Sequence, residues 1–127
     1  MAGVIVDSSV WIDFLAGGHP ELLEEALAHG AVIIPPLVLA ELVSGATTPS
    51  QRASIGELLQ DAPVHDTPVE HWIRVGDLRR TLRRKGVTVS TPDAHVAQCA
   101  LDHDGVLLTR DAVFTLIAQH TSLRLRR

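Results

Sequence analysis

Gly3-Val4-Ile5-Val6-Asp7-Ser8-Ser9 is the stretch on which the fold turns. Its apolar, β-branched run is continuous, with no polar alternation, as a strand covered on both faces requires. An acid and two small hydroxyl residues then end the strand. Two further runs have the same character: Ala31-Val32-Ile33-Ile34 and Val106-Leu107-Leu108-Thr109. Pro63-Val64-His65 reads as a minor strand, and a last strand is expected at 122–125.

Helical patterns separate these runs. A helix is predicted over residues 9–16, stopped by Gly17-Gly18. Pro20 opens a second, with Leu22, Leu23, Ala26 and Leu27 periodic and Gly30 as its terminator. After Pro35-Pro36 an apolar helix covers residues 37–43, with Gly45 as its stop, and 49–60 follows with Ile55, Leu58 and Leu59 inward. Trp72, Val75, Leu78 and Leu82 make residues 69–85 an amphipathic helix ended by Gly86. Thr91-Pro92-Asp93 supplies a cap, a first-turn proline and a first-turn acid for a helix running to 104. Asp111 caps a last helix through 118. Continuous apolar strands alternating with helices specify an α/β chain: three α/β/α layers around a central, mostly parallel sheet.

At 127 residues and 46% apolar composition, the chain is the size of one domain, residues 1–127, with enough apolar material for one core. Its longest apolar stretch is broken by Pro35-Pro36, so no membrane span is expected. The N-terminus has no cationic stretch leading into an apolar segment, so no targeting signal is expected either. A single cysteine, Cys99, allows no internal disulfide, which fits a reducing cytoplasm. The net charge of −4 speaks against a simple nucleic-acid binder. Its distribution says more. Residues 1–51 hold six acids and no Lys or Arg, whereas six of the eleven basic residues lie between Arg74 and Lys85. An acidic centre binding divalent cations beside a basic segment reconciles a negative chain with an anionic substrate.

In an open parallel sheet, ligands bind beyond the carboxyl ends of the strands. Asp7 directly follows the first strand and Asp111 closely follows Val106-Leu107-Leu108. Glu41 lies one turn inside a helix whose side chains tilt back toward its start, and Asp93 sits in a first helical turn. These four carboxylates can meet at one edge, where their mutual repulsion calls for Mg²⁺ or Mn²⁺, hard cations that prefer oxygen donors. Such ions activate water for in-line attack on phosphorus.

Each acid also has an ordinary reading. Asp7 and Asp111 could be helix caps and Asp93 a complement to a helix dipole. Glu41 resists that reading, because Leu37, Val38, Leu39, Ala40, Leu42 and Val43 leave little polar face around it. Ser9 and Thr109 are placed to orient the neighbouring carboxylates of Asp7 and Asp111. Arg79, Arg80, Arg83 and Arg84 could contact phosphates or simply form a solvated helix face. The seven histidines suggest no catalytic pair. His95 lies on a different side of its helix from Asp93, and His19, His29, His65, His71, His103 and His120 fall in loops or polar positions. Cys99 reads as a core residue.

The segments Val4-Ile5-Val6-Asp7-Ser8-Ser9-Val10-Trp11-Ile12-Asp13, Leu39-Ala40-Glu41-Leu42-Val43-Ser44-Gly45, Pro92-Asp93-Ala94-His95-Val96-Ala97 and Leu107-Leu108-Thr109-Arg110-Asp111-Ala112-Val113-Phe114 resemble the PIN-domain family. Within it they resemble the VapC-type toxins of bacterial toxin-antitoxin pairs. The resemblance spans nearly the whole chain, with each segment bringing its acid in family order. It implies a PIN-like fold, metal ligands at Asp7, Glu41, Asp93 and Asp111, and a magnesium- or manganese-dependent endoribonuclease. It also implies an RNA substrate, a cognate VapB-type antitoxin and a homodimer. His95 departs from the pattern, standing where relatives tend to be apolar. Related PIN nucleases process RNA without a toxin role, and a non-catalytic RNA-binding module would share the fold. A phosphoacceptor signalling domain also places acids at strand ends, but needs a lysine after a late strand; the only lysine here is Lys85, at a helix end.

Overall fold

Four short strands carry the centre of the computed structural model, which describes residues 3–127. β1 (Val4–Val6), β2 (Val32–Ile33), β3 (Val106–Leu108) and β4 (Arg124–Arg126) form one sheet in the order β2-β1-β3-β4. All pairings are parallel, with Val4 opposite Val32 on one side of β1 and Val6 opposite Leu108 on the other. The chain steps from β1 outward to β2 and later returns to the opposite side of β1, so strand order reverses between β1 and β3. That is the position where an open sheet leaves a crevice beyond its carboxyl ends.

Seven helices cover the sheet: α1 (Ser8–Leu15), α2 (Glu21–Ala28), α3 (Pro36–Gly45), α4 (Pro49–Asp61), α5 (Val69–Arg84), α6 (Thr91–Asp102) and α7 (Ala112–Ala118). The three-layer α/β/α reading of the sequence is the architecture found. Ile5, Leu107, Trp11, Phe114 and Ile117 are fully buried at the junction of sheet and helices. α6 is enclosed along nearly its whole length, Ala94 through Ala100 being buried, and α5 is its main partner. No helix among the described residues is long and apolar enough to cross a membrane.

Several local expectations are corrected. Pro63-Val64-His65 contributes only a single parallel bridge, Ile34 to Val64. β4 is an edge strand whose two arginines flank a half-buried Leu125, so it lacks the continuous apolar character of the inner strands. The cap of α6 is Ser90, whose hydroxyl accepts from Asp93 N, and Thr91 is its first residue; the helix ends at Asp102, not at 104. Leu59 and Trp72 are exposed, because α4 buries Ile55 and Leu58 and the buried stripe of α5 runs through His71, Val75 and Leu82.

Gly105 is buried where β3 begins, with Gly3 O against the place a Cβ would occupy. That carbonyl accepts from Val106 N at 2.9 Å, so a methyl group there forces β3 away from β1. Gly56 faces open space in exposed α4. Gly105→Ala is expected to destabilise by roughly 1–3 kcal/mol, the usual cost of overpacking. Gly56→Ala should instead stabilise by about 0.5–1 kcal/mol. Chemical denaturation of the two variants against the parent checks both signs.

Candidate metal centre

Pairing of Val6 with Leu108 sets the next residues of the two strands, Asp7 and Thr109, side by side. Asp7 N donates to Leu108 O at 3.0 Å, continuing the ladder by one step. The Asp7 residue is only 8% exposed, so its carboxylate needs internal donors. It has them: Oδ1 accepts from Ser8 N at 2.8 Å, and Oδ2 accepts from Thr109 Oγ1 at 3.0 Å and from Ser9 Oγ at 3.4 Å. Thr109 Oγ1 accepts in turn from Asp111 N at 3.0 Å. One buried hydroxyl thus ties the ends of β1 and β3 together. Thr109 was expected to orient Asp111's carboxylate; its hydroxyl donates to Asp7, and it holds Asp111 through the backbone.

Asp7 and Asp111 are also helix caps, for α1 and α7, Asp111 Oδ1 accepting from Val113 N at 3.0 Å. The ordinary reading of both residues is therefore correct and leaves their remaining oxygen lone pairs available. Asp93 is half-buried in the first turn of α6. Burial foremost, then the charges of Asp111 and Asp7, hold its carboxyl above the usual range, against the opposing effect of Ser90. Asp7 and Asp111 thus lie near enough to Asp93, across the edge of the sheet, for their charges to raise it.

Glu41, the fourth, is exposed on α3, lining a cavity with Ile12, Leu42 and Ile55. The expectation that apolar neighbours leave it no solvated face fails, because α3 buries Val38 and Leu42 and leaves Ala40, Glu41 and Ser44 exposed. Its position on α3, which packs on α1 and α6, keeps it on an element adjoining both Asp7 and Asp93.

Among the described residues, no Lys or Arg bonds Asp7, Asp93 or Asp111; Arg110, the nearest in sequence, turns to Asp13 at 3.4 Å. Uncompensated, partly buried oxygen donors are the donor set that a hard divalent cation fits. On α5, Arg79 is committed through Nε to Val89 O at 3.0 Å, while Arg80, Arg83 and Arg84 are exposed.

Sequence reading missed a second polar cluster, at the far end of α6. His71 and His95 are fully buried and bonded to each other, Nε2 to Nδ1, at 2.8 Å. His71 Nδ1 donates to Asp102 Oδ2 at 2.7 Å, and Arg74 and Gln98 donate to the same carboxylate. Burial opposes ionisation of Asp102, but those bonds together hold its carboxyl well below the usual carboxylate range. His95 is lowered to about 4, by burial first and by His71 and His65 next. The signal was present as spacing: His71 falls in register with Val75 and Leu82, and His95, Cys99 and Asp102 recur along one stripe of α6.

A doubly covered parallel sheet with carboxylates gathered at its switch point defines an α/β/α domain with an acidic, oxygen-donor centre. The family model for the PIN domain matches residues 4–119. This chain belongs to the PIN-domain family. It is 30% identical to VapC ribonuclease Mb1587 of Mycobacterium bovis, over 95% of this chain and 96% of that protein. Its fold matches DNA-bound VapBC from Salmonella typhimurium with a TM-score of 0.82 at 23% identity, covering 99% of this chain and 98% of that one. A toxin-antitoxin complex from Klebsiella pneumoniae matches at 0.70 and 20% identity, over 87% and 88% of the respective chains.

Asp93 has a folded pKa above its unfolded value, so its contribution favours the metal-free fold at low pH and turns unfavourable as pH rises through those values. Metal-free Asp93→Asn is therefore expected to melt at the same or a higher temperature than the parent at neutral pH. Thr109→Val, which removes the buried donor to Asp7, should cost roughly 1–3 kcal/mol. Calorimetric melting with chelator present distinguishes the two; a marked loss in Asp93→Asn contradicts the repulsion.

Proposed function

We propose that this chain is a divalent-metal-dependent endoribonuclease that hydrolyses RNA phosphodiester bonds as the toxin of a toxin-antitoxin pair. The observation that carries the chemistry is the braced Asp7 carboxylate beside the like charges of Asp93 and Asp111, with no side-chain cation bonded to them among the described residues. Ribonuclease activity in a relative matched over nearly its full length supports the reaction class. Complexes of structural neighbours with antitoxins support the partner.

Asp7, Asp93 and Asp111 would hold Mg²⁺ or Mn²⁺, with Glu41 joining from α3. The bound cation supplies an activated water and stabilises charge on the leaving oxygen. Thr109 and Ser9 keep the Asp7 carboxylate oriented, so that it would be held ready as a ligand. Asp93, at the start of α6, brings a carboxylate whose proton is more easily retained, so metal binding weakens as pH falls. Exposed Arg80, Arg83 and Arg84 lie in the last turns of α5, before the loop that leads into Asp93, and would contact the phosphates of an approaching strand.

The cavity beside Glu41, of about 300 Å³, is walled by Ile12, Leu15, Leu42 and Ile55. Ile12 is 60% exposed there. This groove suits an apolar segment of a VapB-type antitoxin, with a cationic side chain reaching the acids. The homodimer and the single domain expected from the sequence belong to the same proposal.

Asp7→Asn and Asp93→Asn are each expected to reduce manganese-dependent RNA cleavage by at least about a hundredfold, the scale of losing an essential metal ligand. Circular dichroism of the same variants should stay that of the parent. Cleavage by the folded variants at the parent rate removes Asp7 and Asp93 from the chemistry.

Product chemistry gives a separate check. Water as nucleophile leaves a 5′-phosphate and a 3′-hydroxyl, whereas attack by the ribose hydroxyl leaves a 2′,3′-cyclic phosphate. Mass spectrometry of cleaved oligonucleotides should find the first pair, and chelator should abolish both fragments.

A further inference from the structure

The polar cluster at the C-terminal end of α6 contains donors that the acidic centre does not use. His65, His71 and Cys99 each offer a ligand atom, and these atoms lie within 4.8 Å of one another. Cys99 and His71 are fully buried. The His65 side chain is 10% exposed, and its Nε2 is buried with no hydrogen-bond partner, the Asp102 carboxylate lying 3.9 Å away, beyond bonding distance. A buried ring nitrogen left unpaired is costly to the fold, which marks the space it faces as one where a partner belongs.

The outer nitrogens are already committed. His71 Nδ1 bonds Asp102 at 2.7 Å, and His65 Nδ1 is bonded to His103 Nε2. An ionised Asp102 can only accept, so His71 carries its proton on Nδ1 and presents Nε2 as a lone pair. An imidazole held by a carboxylate on one nitrogen and free to ligate through the other is the arrangement that orients histidines at metal sites.

We propose that His65, His71 and Cys99 form a second metal site, selective for a zinc-like ion and separate from the acidic centre. Imidazole and thiolate donors suit a borderline-soft ion and not magnesium. In a tetrahedral zinc site the ligand atoms stand roughly 3.3–3.7 Å apart, so these donors need to close by only about an ångström. His95 borders the site, 2.8 Å from His71 and 3.8 Å from Cys99 Sγ, and would have to shift toward His65 to take the fourth position. The metal replaces the His71–His95 hydrogen bond and displaces the Cys99 thiol proton, which leaves to solvent as the metal–sulfur bond forms.

Trp72 closes the cluster by stacking on His95, with ring centroids 4.7 Å apart and planes 9° from parallel. A closed, four-coordinate site of this kind is structural. It clamps α5 and the 63–65 segment to α6. Asp93 and Cys99 lie six residues apart on that helix, about 9 Å along its axis, so the acidic centre at its start and this cluster farther along it draw on different donors.

The test uses the whole chain, stripped with chelator and titrated with Co²⁺, whose thiolate complexes absorb strongly in the near ultraviolet. One equivalent should give a thiolate-to-cobalt band that Zn²⁺ abolishes. Cys99→Ser should lose the band, His65→Ala should weaken cobalt binding by more than about tenfold, and Asp7→Asn should leave it intact. Absence of the band in the parent protein overturns the site without reference to any variant, as does a band that survives Cys99→Ser. Loss of the band in Asp7→Asn alone would assign the cobalt to the acidic edge and equally overturn it.

Discussion

Everything at the functional edge depends on the parallel register of β1 against β3. With Val6 opposite Leu108, Asp7 and Thr109 emerge together at the point where strand order reverses, and the Thr109 hydroxyl reaches the Asp7 carboxylate at 3.0 Å. A slip of one residue would turn alternate side chains to the other face of the sheet and separate the pair. Burial of Ile5, Val6, Leu107 and Leu108 fixes that register, so the apolar core and the acidic edge are set by one pairing. Close approach of Gly105 to the Gly3 carbonyl belongs to the same constraint.

The two ends of α6 solve the problem of a partly covered acid in opposite ways. Asp102 receives Arg74, His71 and Gln98, and its carboxyl is held well below the usual range. Asp93 is held above it, by burial first and then by the like charges of Asp111 and Asp7. A fold that supplies compensation at one end and withholds it at the other leaves the Asp93 edge in need of an external cation. That contrast, within one helix, is a stronger argument for a cation site than the number of acids on the edge.

The strands, the helices and the acids at their ends were legible in the sequence because periodicity reports burial directly. The continuous runs at 4–6 and 106–108 could only be doubly covered strands, and their following acids could only fall at the carboxyl edge. The surroundings of Glu41 were less legible: its apolar neighbours suggest little polar face, whereas α3 buries one stripe and exposes its acid. His71 was misjudged because polarity was allowed to outweigh spacing. Its position in register with Val75 and Leu82 placed it inside, but only the tertiary approach of α6 supplies the Asp102 and His95 that make its burial tolerable. Ser90 displaced Thr91 as the cap because two adjacent hydroxyls compete for one role, and sequence alone does not rank them.

The central claim is that the carboxylates beyond β1 and β3 bind the ion on which the chemistry depends. Anomalous diffraction from crystals of the whole chain grown with Mn²⁺ tests it most directly. The account predicts an anomalous peak bounded by Asp7, Asp93 and Asp111, absent from crystals of Asp7→Asn under the same conditions. Well-ordered crystals at saturating manganese with no peak at that edge, or with a peak only elsewhere on the molecule, would contradict it.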